Sequence, residues 1–323
     1  MMQKTMTPAY CPVCDAEQPR HIVERFGAGV FVECLGCGVH FAEANRTDLQ
    51  EYYHGIWSDG HLGCDPYAEK VAAAHDPDKL EELLTTVPRF RWAVRQLWRL
   101  NRGARILDVG CGEGALLWAA GQMGFKPHGC DLAAPAVALA RGLAGASNVH
   151  VGTIDDLPYP PGTFDALVAL EVLEHLPNPR TFLERAATLL QPDGTLLLTM
   201  PNRFRVFAVL KRALGKPHSS TDYPPHHLTR WSAGTLQDLL EKLFGKVRVG
   251  SLPYHATHWA GRALARPLHL LSGARMGQSL CAVAQGVLPA AQTASLEPRR
   301  ANGARQPRSA SASRLNRVVT DHQ

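Results

Sequence analysis

A strand-like run that ends in three alternating glycines constrains this chain most. Residues 106–114 read ILDVGCGEG, an apolar segment with one internal acid that leads directly into the glycines. Glycine adopts positive φ and lets the backbone approach a ligand closely, so a doubly wound α/β sheet binds its cofactor at such a turn. The spacing is G-x-G-x-G, whereas a dinucleotide site needs G-x-G-x-x-G. The run therefore predicts an α/β fold whose glycine turn holds a nucleoside.

Further segments follow at the intervals of a repeated strand and helix pattern. We expect a helix over 115–124, a second strand over 126–131 that ends in Asp131, and a third strand from 148 that turns at Thr153. Residues 162–171 form a short apolar run between turn residues, as a fully buried parallel strand does, and end at Glu171. The fifth strand is expected over 195–200, and segments 245–251 and 277–285 supply the last two.

Together these segments resemble the class I S-adenosylmethionine (SAM)-dependent methyltransferases, whose first motif corresponds to residues 106–114. The resemblance implies a Rossmann-like sheet of seven mostly parallel strands with helices on both faces and the antiparallel seventh strand beside the fifth. It implies SAM as the cofactor, with Asp131 accepting from the ribose hydroxyls, since such folds carry an acid about 20 residues past the glycines. The expected cofactor-binding residues are Asp108, Gly110, Cys111, Gly112, Gly114, Asp131, Leu132, Thr153, Ile154, Asp155 and Glu171.

The third strand departs from the commonest form of this family. Thr153 stands where many members have Asp. We therefore expect adenine recognition to depend on backbone groups around Ile154 and on the neighbouring Asp155.

Two C-x-x-C pairs near the N-terminus are typical of a zinc ribbon. Cys11 and Cys14 form the first pair, Cys34 and Cys37 the second, and 19 residues separate the pairs. Four thiolates in two tight turns can surround one tetrahedral Zn²⁺ at about 2.3 Å, which leaves no open position for water or substrate. We expect a structural zinc ion here; redox chemistry is the alternative for a single C-x-x-C pair.

The chain divides into four segments by composition. We assign residues 1–46 to the ribbon, 47–102 to a helical linker that covers the cofactor, 103–290 to the methyltransferase domain and 291–323 to a disordered basic tail. Within the linker, an amphipathic helix is expected over 87–100, and Tyr52, Tyr53 and Trp57 are candidate lid residues. From Ser295 onward six Arg against two acids supply +4 of the net charge of +5, and few large apolar residues could form a core.

The segment 222–231, DYPPHHLTRW, is expected to lie over the substrate cleft. It resembles the H-H-L segment of methyltransferases related to the ubiquinone-pathway O-methyltransferases and to sugar or polyketide tailoring enzymes. Removing a proton from a phenol or sugar needs a base that titrates near neutrality, and the candidates are His227, His175 and His226. His226 and His227 could instead bind a divalent metal, for which the sequence identifies no carboxylate partner.

The sequence therefore predicts a SAM-dependent methyltransferase that acts on a small molecule at a hydroxyl oxygen of a quinone or phenol, a sugar or a secondary metabolite. Nucleic-acid methylation, with the ribbon and basic tail as an rRNA or tRNA platform, is the alternative, and a SAM-binding partner protein without catalysis is a third. The fourth strand leads to EVLEH, which is neither an adenine-type Asn/Asp-Pro-Pro-Tyr/Phe motif nor a Pro-Cys nucleophile. Because no apolar run of about 18 residues or signal segment is found, we expect a cytoplasmic protein.

Overall fold

The computed structural model describes residues 10–43 apart from 16, 18, 19 and 28, residues 51–55 apart from 54, and residues 76–144, 148–205, 222–252 and 277–293. The strands are β1 Arg20–Phe26, β2 Gly29–Cys34, β3 His40–Glu43, β4 Arg105–Val109, β5 Lys126–Asp131, β6 Val149–Val151, β7 Phe164–Leu170, β8 Leu190–Pro201, β9 Thr229–Arg230, β10 Phe244–Leu252 and β11 Ser279–Val287. The helices are α1 Pro77–Thr86, α2 Pro88–Leu97, α3 Ala115–Gln122, α4 Ala134–Ala144, α5 Pro179–Leu189, α6 Ala233–Leu240 and α7 Pro289–Thr293.

The larger sheet has seven strands in the order β10-β11-β8-β7-β4-β5-β6. The pairs among β4, β5, β6, β7 and β8 are parallel, whereas β11 is antiparallel to both of its neighbours. The last strand of the chain thus lies between the fifth and sixth strands of this sheet. The predicted Rossmann-like sheet with its inserted antiparallel strand is confirmed.

Most strand bounds agree with the sequence expectation, and β5 matches it at both ends. The fifth strand of this sheet begins earlier than predicted: Leu190 already pairs with Phe164, and Thr195 pairs with Ala166. Four residues, 191–194, therefore stand against a single residue of β7 and bulge out of the ladder, which explains why their Pro-Asp-Gly sequence resembles a turn.

Helix α2 ends at Leu97, earlier than the predicted bound at residue 100. Trp98 continues the apolar spacing by which the helix is expected, but it lies in the terminal turn and is 61% exposed, so it is not part of the buried face. Ala93 and Leu97 are the fully buried residues of this helix. The apolar periodicity identified the helix, although it did not fix the residue at which the helix ends.

A second sheet of four strands, β1-β2-β3-β9, contains the ribbon. Its fourth strand, Thr229–Arg230, comes from the loop that follows the larger sheet's fifth strand and pairs with His40 and Phe41 of β3. The sequence did not predict this strand. Apolar ribbon residues, among them Val32 and Phe41, share one hydrophobic cluster with the core of the larger sheet. The ribbon and the methyltransferase segment are therefore packed together.

Several expectations concern residues outside the described ranges. These are Trp57, the bridge over 259–271, the helix expected after Asn202, apart from 202–205, and the tail from 294 onward. Asn202 itself forms a β-bridge with Trp231 and is not helical. Helix α7 includes residues 291–293, and Ala291 is buried, so this part of the predicted tail belongs to the domain. Within the described ranges no helix is both long enough and apolar enough to cross a membrane.

Candidate functional site

The glycine turn after β4 has the backbone conformation that its sequence predicts, with positive φ at Gly110, Gly112 and Gly114. A Cβ on Gly110 would lie 2.6 Å from Val172 Cγ2. On Gly114, a Cβ would lie 2.8 Å from the Cα of Ala140 in α4, a backbone atom that cannot move aside cheaply. The first glycine therefore allows the turn to approach the β7 exit, and the third allows α4 to pack against the start of α3.

Asp131, at the carboxyl end of β5, is joined to the glycine turn by its carboxylate. Its Oδ2 accepts a hydrogen bond of 3.0 Å from the Gly112 amide, and its Oδ1 accepts one of 2.9 Å from the Ala133 amide. Burial raises the pKa of Asp131 above its usual range, although these backbone donors oppose the shift. Burial, followed by the Asp131 charge, also raises the pKa of Asp108. The turn thus surrounds two buried acids.

Thr153 caps the 3₁₀ turn Ile154–Asp156 that follows β6. Its hydroxyl donates to Asp156 Oδ2 at 2.8 Å and accepts from the Asp155 amide at 3.2 Å. Because the hydroxyl is engaged in the cap, Thr153 contributes to the site mainly by fixing this turn. This role agrees with the expectation that the backbone around Ile154 and the neighbouring Asp155, and not the Thr153 side chain, recognise the adenine. Recognition of adenine by these groups stays a prediction.

A cavity of about 530 Å³ lies at the carboxyl ends of the parallel strands. Of the expected cofactor-binding residues it is lined by Asp108, Gly110, Cys111, Gly112, Asp131, Leu132, Thr153, Ile154, Asp155 and Glu171. Gly114 does not line it. Another side of the cavity is lined by Tyr53 and, from α1 and α2, by Leu83 and Phe90. Ligands of open α/β sheets bind at this edge, and the volume is that of a small-molecule site.

Three histidines form a cluster at the edge of this cavity. His175 ends the 3₁₀ turn after β7, and His226 and His227 come from the 222–231 loop. The ring centroids of His175 and His226 are 4.5 Å apart, and His226 stacks on His227 at 4.9 Å. His175 and His226 line the cavity, whereas His227 does not. The three side chains that the sequence offered as candidate bases therefore form one cluster.

Burial keeps two of these imidazoles neutral. It lowers the pKa of His175 well below the usual value and that of His226 to about 4, in each case with a smaller contribution from the His227 charge. His175 Nδ1 lies 2.5 Å from the His226 carbonyl oxygen. A carbonyl oxygen only accepts, so Nδ1 carries the proton and the lone pair of the neutral ring is on Nε2. The Glu171 backbone is a further hydrogen-bond partner of this imidazole.

Two acids stand beside the cluster. Glu171 has φ of +58°, a left-handed conformation that is strained for a residue other than glycine. Glu174 is 1% exposed, and neither of its carboxylate oxygens has a hydrogen-bond partner among the residues that the structure describes. Burial, followed by the Glu171 charge, raises the pKa of Glu174 well above its usual range. Strain and unsatisfied buried carboxylates of this kind concentrate at functional sites.

Comparison with known proteins identifies the family to which the chain belongs. A family model described as a methyltransferase domain matches residues 80–243, half of the chain. The chain belongs to the class I SAM-dependent methyltransferases. Over 106 residues this methyltransferase is 42% identical to the ubiquinone biosynthesis O-methyltransferase of Xanthomonas campestris pv. campestris (strain B100), a match that covers 31% of the chain and 44% of that relative. The protein of the same name from Xanthomonas oryzae pv. oryzae (strain PXO99A) is 41% identical with the same coverage.

The chain thus spans less than half the length of these curated relatives. Among solved structures, a chain from the complex between the Haloferax volcanii Trm112 methyltransferase activator and the putative methyltransferase aligns with a TM-score of 0.50 at 21% identity. The alignment covers 68% of this chain and 97% of that one. At this level of identity the likeness shows the fold alone.

A second cavity of the methyltransferase, of about 380 Å³, lies between the ribbon sheet and the 222–231 loop. It is lined by charged and titratable side chains, among them Glu24, Glu33, His40, Arg203, Arg205, Asp222, His227 and Arg230. Arg205 forms an ion pair with Asp222, and Arg230 with Glu24. The adjacent residues His226 and His227 line different cavities, so the histidine cluster stands where the two approach each other.

The 222–231 loop is held from both sides. On the methyltransferase side, the Leu228 amide donates to the Glu174 carbonyl at 2.8 Å. On the ribbon side, β9 pairs with β3, and the Arg230 guanidinium lies 3.8 Å from the centre of the Phe31 ring. Cation–π contacts of this kind stabilise a buried arginine. The positions of His226 and His227 thus depend on the ribbon as well as on the sheet.

The four ribbon cysteines come together as predicted. Their sulfur atoms all lie within 4.8 Å of one another, with 3.7 Å between Cys11 and Cys37 and 3.6 Å between Cys14 and Cys34. Four thiolates at about 2.3 Å from one tetrahedral ion would be separated by about 3.8 Å, so the donor set fits zinc. The hydrogen bond with Cys37 lowers the pKa of the Cys11 thiol, against the opposing effect of burial.

Sequence reasoning missed the second cavity and any role for Glu174. The signal for the cavity was available, because Arg203 and Arg205 directly follow β8, at the sheet edge where ligands bind. No sequence pattern indicates that two ribbon residues, Glu24 and Glu33, also line this cavity. Their position there results from a contact between segments about 200 residues apart in the chain.

Proposed function

We propose that this methyltransferase transfers the methyl group of SAM to a hydroxyl oxygen of a small molecule, a quinone or phenol, a sugar or a secondary metabolite. The observation that carries the proposal is the histidine cluster between the two cavities: His175 and His226 line the larger cavity, which the glycine turn also lines, and His227 lines the second, polar cavity. The O-methyltransferase names of the curated relatives agree with it. A hydroxyl acceptor must lose its proton during methyl transfer, so the site needs a group that accepts it. Imidazole is suited to that role near neutrality.

The cofactor would be held at the glycine turn. Each Asp131 oxygen accepts one backbone hydrogen bond, so each retains lone pairs for the ribose hydroxyls. Backbone groups of Ile154 and Asp155 would meet the adenine. When bound, SAM supplies a methyl group on a positively charged sulfur. The cavity has three acidic side chains that would face this positive charge: Asp108, Glu171 and Asp131.

The histidine cluster would prepare the acceptor. In the simplest mechanism His227, whose Nδ1 is 3.7 Å from Asp222 Oδ1, removes the hydroxyl proton and Asp222 stabilises the resulting imidazolium. Hydrogen bonding to His227 and the charge of Arg205 outweigh the effect of burial and hold the pKa of Asp222 below its usual range. As the C–O bond forms, the C–S bond breaks and its electron pair remains on sulfur. The remaining requirement is alignment of the acceptor oxygen with the methyl carbon.

We further propose that Cys11, Cys14, Cys34 and Cys37 hold one structural zinc ion. The sulfur separations fit a tetrahedral four-thiolate site, and such a site has no position left for a substrate. Zinc would stabilise β1, β2 and β3 and, through β9, the loop that carries His226 and His227.

Transfer of labelled methyl from SAM to a panel of catechols, hydroxyquinones, sugars and RNA would test the proposed function. We expect label on a hydroxyl oxygen, and we expect His227→Ala to lower the rate at least about 100-fold while SAM affinity changes little. His150→Ala, a histidine on the third strand, is the matched control and should keep the rate. Label in RNA alone would contradict the proposal and favour the nucleic-acid alternative.

A further inference from the structure

The three histidines between the two cavities are arranged as a ligand set. One ligand atom from each of His175, His226 and His227 lies within 4.8 Å of the other two. Nitrogen atoms bound to one ion at about 2.1 Å lie up to about 4.2 Å apart, so small side-chain rotations suffice to bring all three to a shared ion. We propose that these imidazoles, with the Glu174 carboxylate, bind a divalent first-row transition metal that activates the methyl acceptor.

The orientation of two rings supports this proposal. His175 donates from Nδ1 to the His226 carbonyl, so the lone pair of the neutral ring is on Nε2, which lies 3.7 Å from Glu174 Oε1. His227 Nδ1 lies 3.7 Å from Asp222 Oδ1, so Nε2 would be its ligand atom. Metal-binding histidines almost always have one nitrogen fixed by a carbonyl or carboxylate and the other on the ion. A histidine that serves only packing has no need of this arrangement.

The third ring and the acid have unused lone pairs. His226 Nδ1 is buried and has no hydrogen-bond partner in the described part of the chain. Glu174 Oε1 is 3.7 Å from His175 Nε2, a separation that two atoms bound to one ion at about 2.1 Å can have. A buried carboxylate with neither oxygen satisfied is costly, and a cation between it and the imidazoles would remove that cost. The sequence did not identify a carboxylate partner for His226 and His227. In the structure Glu174 lies beside the cluster and can serve as that partner.

The donor set indicates the class of ion. Three imidazole nitrogens and one carboxylate oxygen suit zinc, iron, cobalt or nickel, whereas magnesium and calcium require mainly oxygen ligands. A hydroxyl bound to such an ion loses its proton near neutrality, as zinc-bound water does at a pKa of about 7. The proton then passes to water, and the oxygen attacks the methyl carbon as before. In this form of the mechanism His227 is a ligand and does not serve as the base.

This role in catalysis rests on the proposed function, whereas metal binding itself does not. The test uses the full chain with its ribbon loaded with zinc, to which Co²⁺ is then added. We expect one further equivalent of Co²⁺, with visible d–d absorption and without the near-ultraviolet thiolate charge-transfer band that a four-cysteine site would give. His226→Ala and Glu174→Gln should weaken this binding by at least about 10-fold, whereas the control His150→Ala should leave it unchanged.

The outcomes separate the two proposals. A wild-type protein that holds one zinc ion per chain, at the ribbon, and takes up no cobalt overturns the metal site, and so does undiminished cobalt binding by both variants. If methyl transfer to a hydroxyl then persists in chelator-treated protein with an intact ribbon, the proposed function stands with a free histidine base. Cobalt binding without any hydroxyl acceptor would instead leave the metal site standing and remove the proposed function. Retained ribbon zinc in each variant shows that the variant is folded.

Discussion

The phenol of Tyr223 donates a hydrogen bond of 2.5 Å to Oε1 of Glu24. The two residues belong to different parts of the molecule, since Glu24 is in β1 of the ribbon and Tyr223 precedes the two histidines of the loop. The same carboxylate forms an ion pair with Arg230, three residues beyond His227. One ribbon side chain thus holds both ends of the segment that carries the candidate catalytic histidines.

Removing the phenol should therefore impair catalysis more than cofactor binding. We expect Tyr223→Phe to lower the rate of methyl transfer about 10- to 100-fold, because a displaced histidine loop loses reacting geometry. SAM affinity, measured by calorimetry, should stay within about threefold, since Tyr223 does not line the larger cavity. Tyr159→Phe removes a phenol that contacts His128 and His150 elsewhere and should leave the rate unchanged. Equal effects of both substitutions would contradict this account.

The placement of the cofactor is tested at Asp131. We expect Asp131→Ala to abolish detectable SAM binding in calorimetry, because it removes the proposed ribose acceptor and releases the Gly112 amide. The loss of two backbone hydrogen bonds to a carboxylate should lower the free energy of unfolding by only about 1–3 kcal/mol, so the protein should remain folded. Asp238→Ala, on the exposed face of α6, is the control. Tight SAM binding by the Asp131 variant would place the ribose elsewhere.

Two glycines near α3 should respond to alanine with opposite signs. Gly114→Ala should lower the free energy of unfolding by at least about 1 kcal/mol, because φ is +92° and the new Cβ would meet the Ala140 backbone. Gly121 lies in α3, and a Cβ added there would have no neighbouring atom within 4 Å, so Gly121→Ala should raise it by about 0.5–1 kcal/mol. Urea unfolding of both variants provides the comparison. Destabilisation by Gly121→Ala would contradict the packing described.

The ribbon can be tested by comparing two cysteines. We expect wild-type protein to contain one tightly bound zinc ion per chain at the ribbon and Cys34→Ser to lose it, with a large fall in soluble yield. Cys281→Ser is the matched control, because Cys281 lies on β11, far from the cluster in the chain, and burial raises the pKa of its thiol to about 11. Its zinc content should equal that of the wild type. Metal analysis of both proteins decides the point, and a stable Cys34→Ser protein without zinc would refute a structural role.

Buried His128 should make stability depend on pH. Burial, with a smaller contribution from Arg105, lowers the pKa of His128 to about 4 from an unfolded value of 6.5. Between these values the unfolded state binds more protons, so stability is complete above pH 6.5 and falls as the pH drops toward 4. We expect the melting temperature of His128→Gln to fall less over this interval than that of the wild type. An identical pH profile for the two proteins would count against this effect.

The sequence predicted the sheet well because its signals are local. The glycine turn, the strand over 126–131 and the two cysteine pairs each depend on residues within a short segment, and the structure has all three. The inserted antiparallel strand was predicted through the family resemblance. Apolar periodicity located α2, but it could not tell that Trp98 falls beyond the last helical residue. Helix ends depend on backbone contacts that an apolar pattern does not encode.

The parts that the sequence did not predict depend on distant contacts. Three candidate histidines were named, but their convergence requires the Leu228 amide to meet the Glu174 carbonyl across 54 residues. Glu174 appeared as one acid in an ordinary turn sequence, and only its burial without a described partner marks it. The two residues of β9 are too few to give a strand pattern, so their place in the ribbon sheet could not be read from the sequence.

This short strand also bears on how the chain folds as it is synthesised. Phe41 of β3 leaves the ribosome long before its partner Thr229, and the sheet between them cannot be completed until the five parallel strands of the larger sheet have emerged. Contacts so far apart in sequence form late, because a long loop must close first. During translation the edge of β3 is therefore unpaired until Thr229 has emerged, and an unpaired strand edge is the part of a nascent sheet that most readily pairs with other chains.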